Sequence, residues 1–406
     1  MNVIFIEPSF PNNQREFVRA LHAAGANVIG IGERPLDYLD TEVKGWLHDY
    51  VQVRSVVHEP SLLKAVQLIQ GQVWVDRLEA TIEAHIMPVA TVREATGIPG
   101  TSTRTAFLCR DKPAMKEVLR QAGIPCAQST RAETPQDARD FATAVGLPLI
   151  IKPPAGAGAS GTYKVRDAKS LESVINECGL ADGNAVAVEE FIEGHEGYID
   201  TLTIGGDVTH EFITHYYPNV LEAMRERWIS PQMVTTNRID APGYEEAREM
   251  TRKVIKILDI GTSATHMEWF FGPKGLKFSE IGCRPPGVGQ WDVYNAANEF
   301  DLYFEWAYAL THGHTHTPPS RRYAAGMIAL RPDRDGRISG YSGVDRIHEQ
   351  YGDCIVAAHL PDPGTPTQPV EAGYMANAWL RVRHPDYDQL RRILDDVGKS
   401  LRVHAE

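Results

Sequence analysis

Residues 147–165 constrain the fold of this 406-residue chain more than any other stretch. An apolar run at 147–151 ends on Lys152 and enters a loop that carries Gly156, Gly158, Ser160 and Gly161. The glycine spacing satisfies GxGxxG, which binds a dinucleotide when the loop opens a helix whose N-terminus holds the pyrophosphate. Here the loop runs into Thr162, Tyr163, Lys164 and Val165, whose β-branched and aromatic side chains favour a strand. The pattern therefore predicts the tip of a β-hairpin and argues against a Rossmann cofactor site. The loop after the first predicted strand, residues 7–11, contains no glycine and points the same way.

A glycine loop at a hairpin tip still suits phosphate, because backbone N–H groups are offered without side chains in the way. Protein kinases use such a loop, but neither an HRD nor a DFG signature occurs in this chain. Gly398, Lys399 and Ser400 mimic the end of a P-loop, yet Ile393 stands where its first glycine belongs, so the match is read as chance. A cation at the end of an apolar strand is costly unless it faces water or an anion. Beside a phosphate-suited loop, Lys152 is read as facing an anion.

A second pattern spans residues 267–281, where two strand-like runs flank Gly272, Pro273, Lys274 and Gly275. A three-residue loop, 273–275, with Gly275 left-handed in a bulge, puts Glu268 directly opposite Glu280. A two- or four-residue loop would put them on opposite faces. Proline first and glycine last favour the three-residue version. Facing carboxylates repel unless they face solvent or share a divalent cation, and hard oxygen ligands suit Mg²⁺ together with phosphate. Four residues beyond Glu280 stands Arg284, a guanidinium able to stabilise charge developing beside a metal–phosphate centre.

Around these features the chain alternates strand and helix signals to about residue 100, predicting a parallel α/β unit with strands at 3–6 and 27–31 and a helix over 14–24 closed by Gly25. Further helices are expected at 112–122, 170–178 and 244–258, and further strands at 162–165, 185–188, 198–204 and 210–215. The stretch from about 320 reads as strand-rich and closes on a charged helix at 387–397. With 41 Lys and Arg against 53 Asp and Glu, the net charge of −12 argues against a nucleic-acid-coating protein. No apolar run approaches 18 residues, so no membrane partner is expected. Residues 1–7 lack a signal-peptide n-region, and the five cysteines are scattered without CxxC, so reduced thiols in a cytoplasm are expected.

In motif order these residues resemble the ATP-grasp superfamily, in particular its carboxylate–amine ligase branch and carbamoyl-phosphate-synthase-like members. The resemblance runs from about Lys112 to Arg284. It implies mixed α/β and α+β architecture: an N-terminal α/β (pre-ATP-grasp) domain over 1–103, a two-lobed ATP-grasp domain over 104–310 with its lid lobe at about 120–188 and glycine loop at 153–161, and a C-terminal β-rich module over 311–406 completing the core. Asp111 and Lys112, followed by a helix, look like the entry motif whose lysine contacts ATP phosphate. Lys152 and the loop would close over the nucleotide. Glu189 would take the adenine amino group, Glu190, Phe191 and Ile192 would offer backbone contacts, and Glu196 would bind the ribose.

By the same resemblance Glu268 and Glu280 match the metal acids, for Mg²⁺ or Mn²⁺, and Arg284 the catalytic arginine. The family pattern reads Glu-x-Asn-x-Arg, whereas here Gly282 stands at the Asn position and offers no ligand. The implied activity is ATP-dependent joining of a small-molecule carboxylate and an amine, amino acids or a peptide, through an acyl phosphate with release of ADP and phosphate. Two alternatives stay open: an ATP-binding protein with weak catalysis, suggested by Gly282, and a carbamate- or bicarbonate-activating enzyme. Tyr216, Tyr217, Arg225, Arg227 and Trp228 lie in a segment suited to an acceptor pocket, the HxHxH run at 312–316 reads as a loop, and a homodimer is the base-rate expectation.

Overall fold

The computed structural model of the chain describes residues 1–155 and 161–406. Gly156, Gly158 and Ser160 of the expected phosphate loop lie outside the described residues. Gly161, at its end, is left-handed with φ +64°.

The N-terminal segment forms a parallel sheet of β1 (Asn2–Ile6), β2 (Asn27–Gly32), β3 (Leu47–Gln52) and β4 (Arg77–Glu79), in the order β3-β2-β1-β4. Both faces are covered, so β1 is a continuous apolar run. Ile4 and Ile6 pack with Leu62 and Val66 of the helix Glu59–Gln70, while Val3 and Phe5 point to the opposite side. On that side the helix Gln14–Ala23 buries Phe17, Val18 and Leu21, the residues its 3.6-residue periodicity brings to one stripe. Phe17 then meets Trp291, Tyr303 and Trp306 with ring centroids 5.0–5.1 Å apart, which joins the N-terminal unit to the following one through an aromatic seam.

A second, antiparallel sheet holds β5 (Ser129–Ala132), β6 (Leu149–Lys152), β7 (Tyr163–Val165) and β8 (Val186–Glu190), in the order β5-β8-β6-β7. β6 pairs antiparallel with β7, Leu149 opposite Val165, so the glycine loop does join a hairpin. Ala138 of one covering helix and Leu171, Val174 and Ile175 of another close one face over Leu149, Ile151 and Val165.

The largest sheet is antiparallel. It takes β9 (His195–Ile204), β10 (Asp207–Tyr217), β11 (Gln232–Thr235), β12 (Ser263–Gly272) and β13 (Gly275–Gly282). The last stretch adds β14 (Ala324–Leu330), β15 (Ile338–Ser342), β16 (Ile355–His359), β17 (Ala378–His384) and β18 (Arg402–Ala405), separated in part by the helix Tyr387–Ser400. β15 and β18 pair with each other, and the others complete the order β13-β12-β9-β10-β11-β14-β17-β16. Gly398, Lys399 and Ser400 fall in the last turn of a helix, not at the start of one, so no phosphate loop forms there.

The hairpin β12–β13 brings Glu268 opposite Glu280, but by a different route from the one its turn residues suggest. Gly272 pairs with Gly275, leaving a two-residue turn; Gly275 is left-handed, at φ +75°, yet is not the extra residue. The register shifts between Glu268 and Trp269, because β13 carries one more residue, Ser279, between the partners Phe278 and Glu280. An inserted residue reverses the side on which later side chains emerge. Phe278 therefore points into the core, fully buried, while Glu280 two residues later points to the opposite face. Turn chemistry alone could not reveal this, since the bulge lies four residues from the turn.

Candidate active site

Between the second sheet and the largest one opens a cavity of about 930 Å³. Lys112, Lys152, Glu189, Glu190, Phe191, Ile192, Glu196, Glu268, Glu280 and Arg284 all line it. The described part of the expected site is thus brought together from four regions of the chain, with Gly161 at the edge of the second sheet rather than on the cavity wall.

Lys112 opens the helix Lys112–Gln121. Asp111 caps it, its carboxylate accepting the Ala114 N–H at 3.0 Å, and also pairs with Arg131. This fixes the first turn, and Lys112 Nζ lies 3.2 Å from Glu280 Oε2. Lys116, one turn on, falls on the same side of the helix and is 1% exposed, with Nζ 2.7 Å from Glu189 Oε1. Lys152, at the end of β6, reaches the other oxygen of Glu189 at 3.0 Å and Glu280 Oε2 at 4.0 Å.

Burial lowers the Lys116 pKa to about 8 despite the attraction of Glu189. For Lys152 burial acts in the same direction, but Glu189 and Glu280 outweigh it and the pKa is raised. Burial works against ionisation of Glu189, yet the two ammoniums hold it at about 2. Its carboxylate pairs with both lysines. Glu190 points outward to Lys274 at 2.5 Å, and Lys164 sits 3.4 Å over the ring of Phe191.

The floor of the cavity is one face of β9, β12 and β13. Side chains in register there form two rows: Tyr198, Glu268 and Glu280 in one, and Asp200, His266 and Gly282 in the next. Glu196 begins the same face on β9; its carboxylate accepts the Val220 N–H at 2.7 Å, and burial together with nearby Glu268 raises its pKa to about 8. Burial opposes ionisation of Glu280 too, but Lys112 and Lys152 lower its pKa. His266 is raised to about 9, burial being outweighed by Asp200 and Glu268. Arg284 is aimed by Glu83, which accepts its Nε–H at 2.8 Å, and by the Pro285 carbonyl.

This donor set fits a nucleoside triphosphate with a divalent cation. Two carboxylates face each other beside the ammoniums of Lys112 and Lys152, and the Arg284 guanidinium lines the same cavity. Among the described residues no three His, Cys, Asp or Glu side chains converge as a preformed metal site, and Glu268 and Glu280 stand as a facing pair. His312, His314 and His316 instead gather around the Tyr308 ring.

Residues 117–300 match the family model of the ATP-grasp domain. This stretch of the chain is similar to an ATP-grasp domain. The chain is 27% identical over 248 residues to the L-arginine-specific L-amino acid ligase of Bacillus subtilis, covering 59% of each chain. It is 24% identical over 230 residues to the alanine–anticapsin ligase of Bacillus subtilis strain 168, covering 52% of this chain and 48% of that one. The alignments thus span about half the length of these two ligases. The fold matches the crystal structure of an L-amino acid ligase from Bacillus licheniformis with a TM-score of 0.79 at 16% identity, over 100% of this chain and 98% of that one.

Motif order located the cavity walls but missed Lys116, Glu83, His266 and Asp200. Lys116 carried a signal, since it follows Lys112 by four residues on a helix. The others act through contacts distant in sequence. Of the segment near 220, Tyr216, Arg225 and Trp228 line the cavity. Tyr217 lies beneath Arg391 instead, and Arg227 pairs with Asp335. Cys283 is buried beside Cys109, whose thiol is pushed well up by that neighbour and by burial, so Cys109 is not poised as a nucleophile. No helix among the described residues is long and apolar enough to cross a membrane.

Proposed function

We propose that this chain is an ATP-dependent ligase that joins a carboxylate to an amine, with amino acids as substrates. The observation that carries the reading is the placement of Glu268 opposite Glu280, within reach of Lys112 and Lys152 and with Arg284 lining the same cavity. The ligase names of the similar proteins support the same class.

In this reading a carboxylate oxygen of the substrate attacks the γ-phosphorus of ATP. The bond from that phosphorus to the β–γ bridging oxygen breaks, giving an acyl phosphate and ADP. The amine then adds to the acyl carbon, loses a proton to solvent, and phosphate leaves. Lys112 and Lys152 hold phosphate oxygens in a site where charge-assisted bonds are strong. Glu268 and Glu280 would hold a divalent cation, Mg²⁺ or Mn²⁺, which when bound would neutralise phosphate charge. Arg284 stabilises the oxyanion of the tetrahedral intermediate. Glu189 keeps Lys116 and Lys152 in place, and Glu196 and the 190–192 backbone are available to the nucleoside. The N-terminal, ATP-grasp and C-terminal boundaries near residues 103 and 310 belong to this reading as well.

The test is ADP release over pools of amino acids and small carboxylates. Substrate-dependent ADP that is lost in Glu268→Ala supports the reading. Measurable ATP binding with no substrate-dependent ADP from any pool would sink it in favour of a binding protein.

A further inference from the structure

Resting on that assignment of Glu268, we infer that His266 is a positioning residue that fixes the Glu268 carboxylate, and that Asp200 and Tyr294 hold it in place. The two acids of the hairpin are restrained differently. Glu280 faces the ammoniums of Lys112 and Lys152. Glu268 is approached by His266, whose Nε2 lies 3.4 Å from Glu268 Oε1.

The imidazole is not free to choose that direction. Its Nδ1 lies 2.7 Å from Asp200 Oδ1, and since a carboxylate only accepts, Nδ1 carries the proton. Asp200, 2% exposed, takes the Tyr294 hydroxyl on its other oxygen. Tyr294 is fully buried, stacked on Phe212 at 4.2 Å. The ring of His266 also packs edge-on against Tyr198 at 4.8 Å. A rigid series thus runs from the core through Tyr294, Asp200 and His266 to one oxygen of Glu268.

The row that contains Asp200 and His266 ends at Gly282, which contributes no side chain. Neither backbone nor packing requires a glycine there. Gly282 is not left-handed, and a Cβ would meet nothing closer than Arg284 Cγ at 3.5 Å. In this chain the adjoining row therefore restrains the carboxylate pair from the β12 side, through His266, rather than from β13. An imidazole fixed beside Oε1 limits how the Glu268 carboxylate can turn, the role that groups behind a ligand serve in metal sites generally.

The test is Mn²⁺ binding to the intact protein, read from the free-Mn²⁺ electron paramagnetic resonance signal, with thermal midpoints recorded in parallel. His266→Ala should weaken Mn²⁺ binding about 10- to 100-fold, the usual effect of removing such a partner. His266→Gln, which restores an N–H donor of similar reach, should recover much of the loss. Asp200→Asn, which keeps the shape, covers the case in which His266→Ala does not fold, and should weaken binding several-fold. Binding in His266→Ala within about twofold of the parent, or equal loss in His266→Gln and His266→Ala, overturns the proposal. Glu268→Ala separates the two readings: unchanged Mn²⁺ binding there removes the metal assignment itself, whereas loss in Glu268→Ala with none in His266→Ala removes only the positioning role.

Discussion

The two faces of β9, β12 and β13 are built from the same strands and have opposite chemistry. One face gives Ile199, Met267, Trp269, Phe278 and Ile281 to a dry core with Val254 and Leu258. The other carries Glu196, Asp200, His266, Glu268 and Glu280 beneath the cavity. Alternation supplies most of this division, since successive side chains of a strand point to opposite sides. On β13 alternation alone would fail, and the bulge at Ser279 separates Phe278 from Glu280. A site dense in carboxylates is tolerated here because a largely apolar layer, broken on β9 and β12 by the hydrogen-bonded pair Thr201 and Thr265, lies directly behind it.

The difference between the faces can be broken from either side. On the core side, Phe278→Ala should cost about 3–5 kcal/mol of stability, measured as a fall in the urea midpoint. Magnesium-dependent ATP consumption per folded molecule should change far less. On the cavity side, Arg284→Ala should lower turnover about 10²- to 10³-fold with nucleotide still bound and the urea midpoint nearly unmoved. Unchanged turnover would remove its catalytic role.

A third effect is confined to acid. The Glu189 carboxyl is depressed from 4.5 to about 2, so its contribution is complete above 4.5 and is lost as pH falls toward 2. The urea midpoint of the parent should drop over that interval, and Glu189→Gln should start lower at pH 6 and show a shallower drop. An identical slope in both would show that Glu189 is not ionised against the lysines. The smallest effect is expected at the rim: Lys274→Ala breaks an exposed pair with Glu190 and should barely move the urea midpoint, decreasingly so as salt is added.

How much of this could be read from residues alone depends on the range of the interaction. The helix over Gln14–Ala23 and the hairpin holding the glycine loop follow from local spacing, and both form where that spacing puts them. The cavity walls followed from motif order. Lys116 was within reach of helical spacing, whereas Glu83, Asp200 and Tyr294 were not legible, because each matters through a partner far away in sequence. Glu83 and Arg284, for instance, are 201 positions apart. The bulge at Ser279 escaped for a different reason. Two hairpins, one with its extra residue at the turn and one with it further along, have the same apolar pattern until the facing core is known.

Gly272 and Gly194 offer a last consequence. The tip of the hairpin lies so close to residues 193–194 that a Cβ on Gly272 would overlap the Glu193 carbonyl oxygen, and one on Gly194 would overlap the carbonyl of Phe271. Residues 193–194 follow directly on the 190–192 stretch that edges the cavity, while the hairpin carries Glu268 and Glu280. In a saturation library these two positions should tolerate almost nothing, unlike the exposed Phe271 between them in space. A variant that did survive there would shift the 190–192 end and the acidic end of the cavity together, so its defects would not separate into one for each.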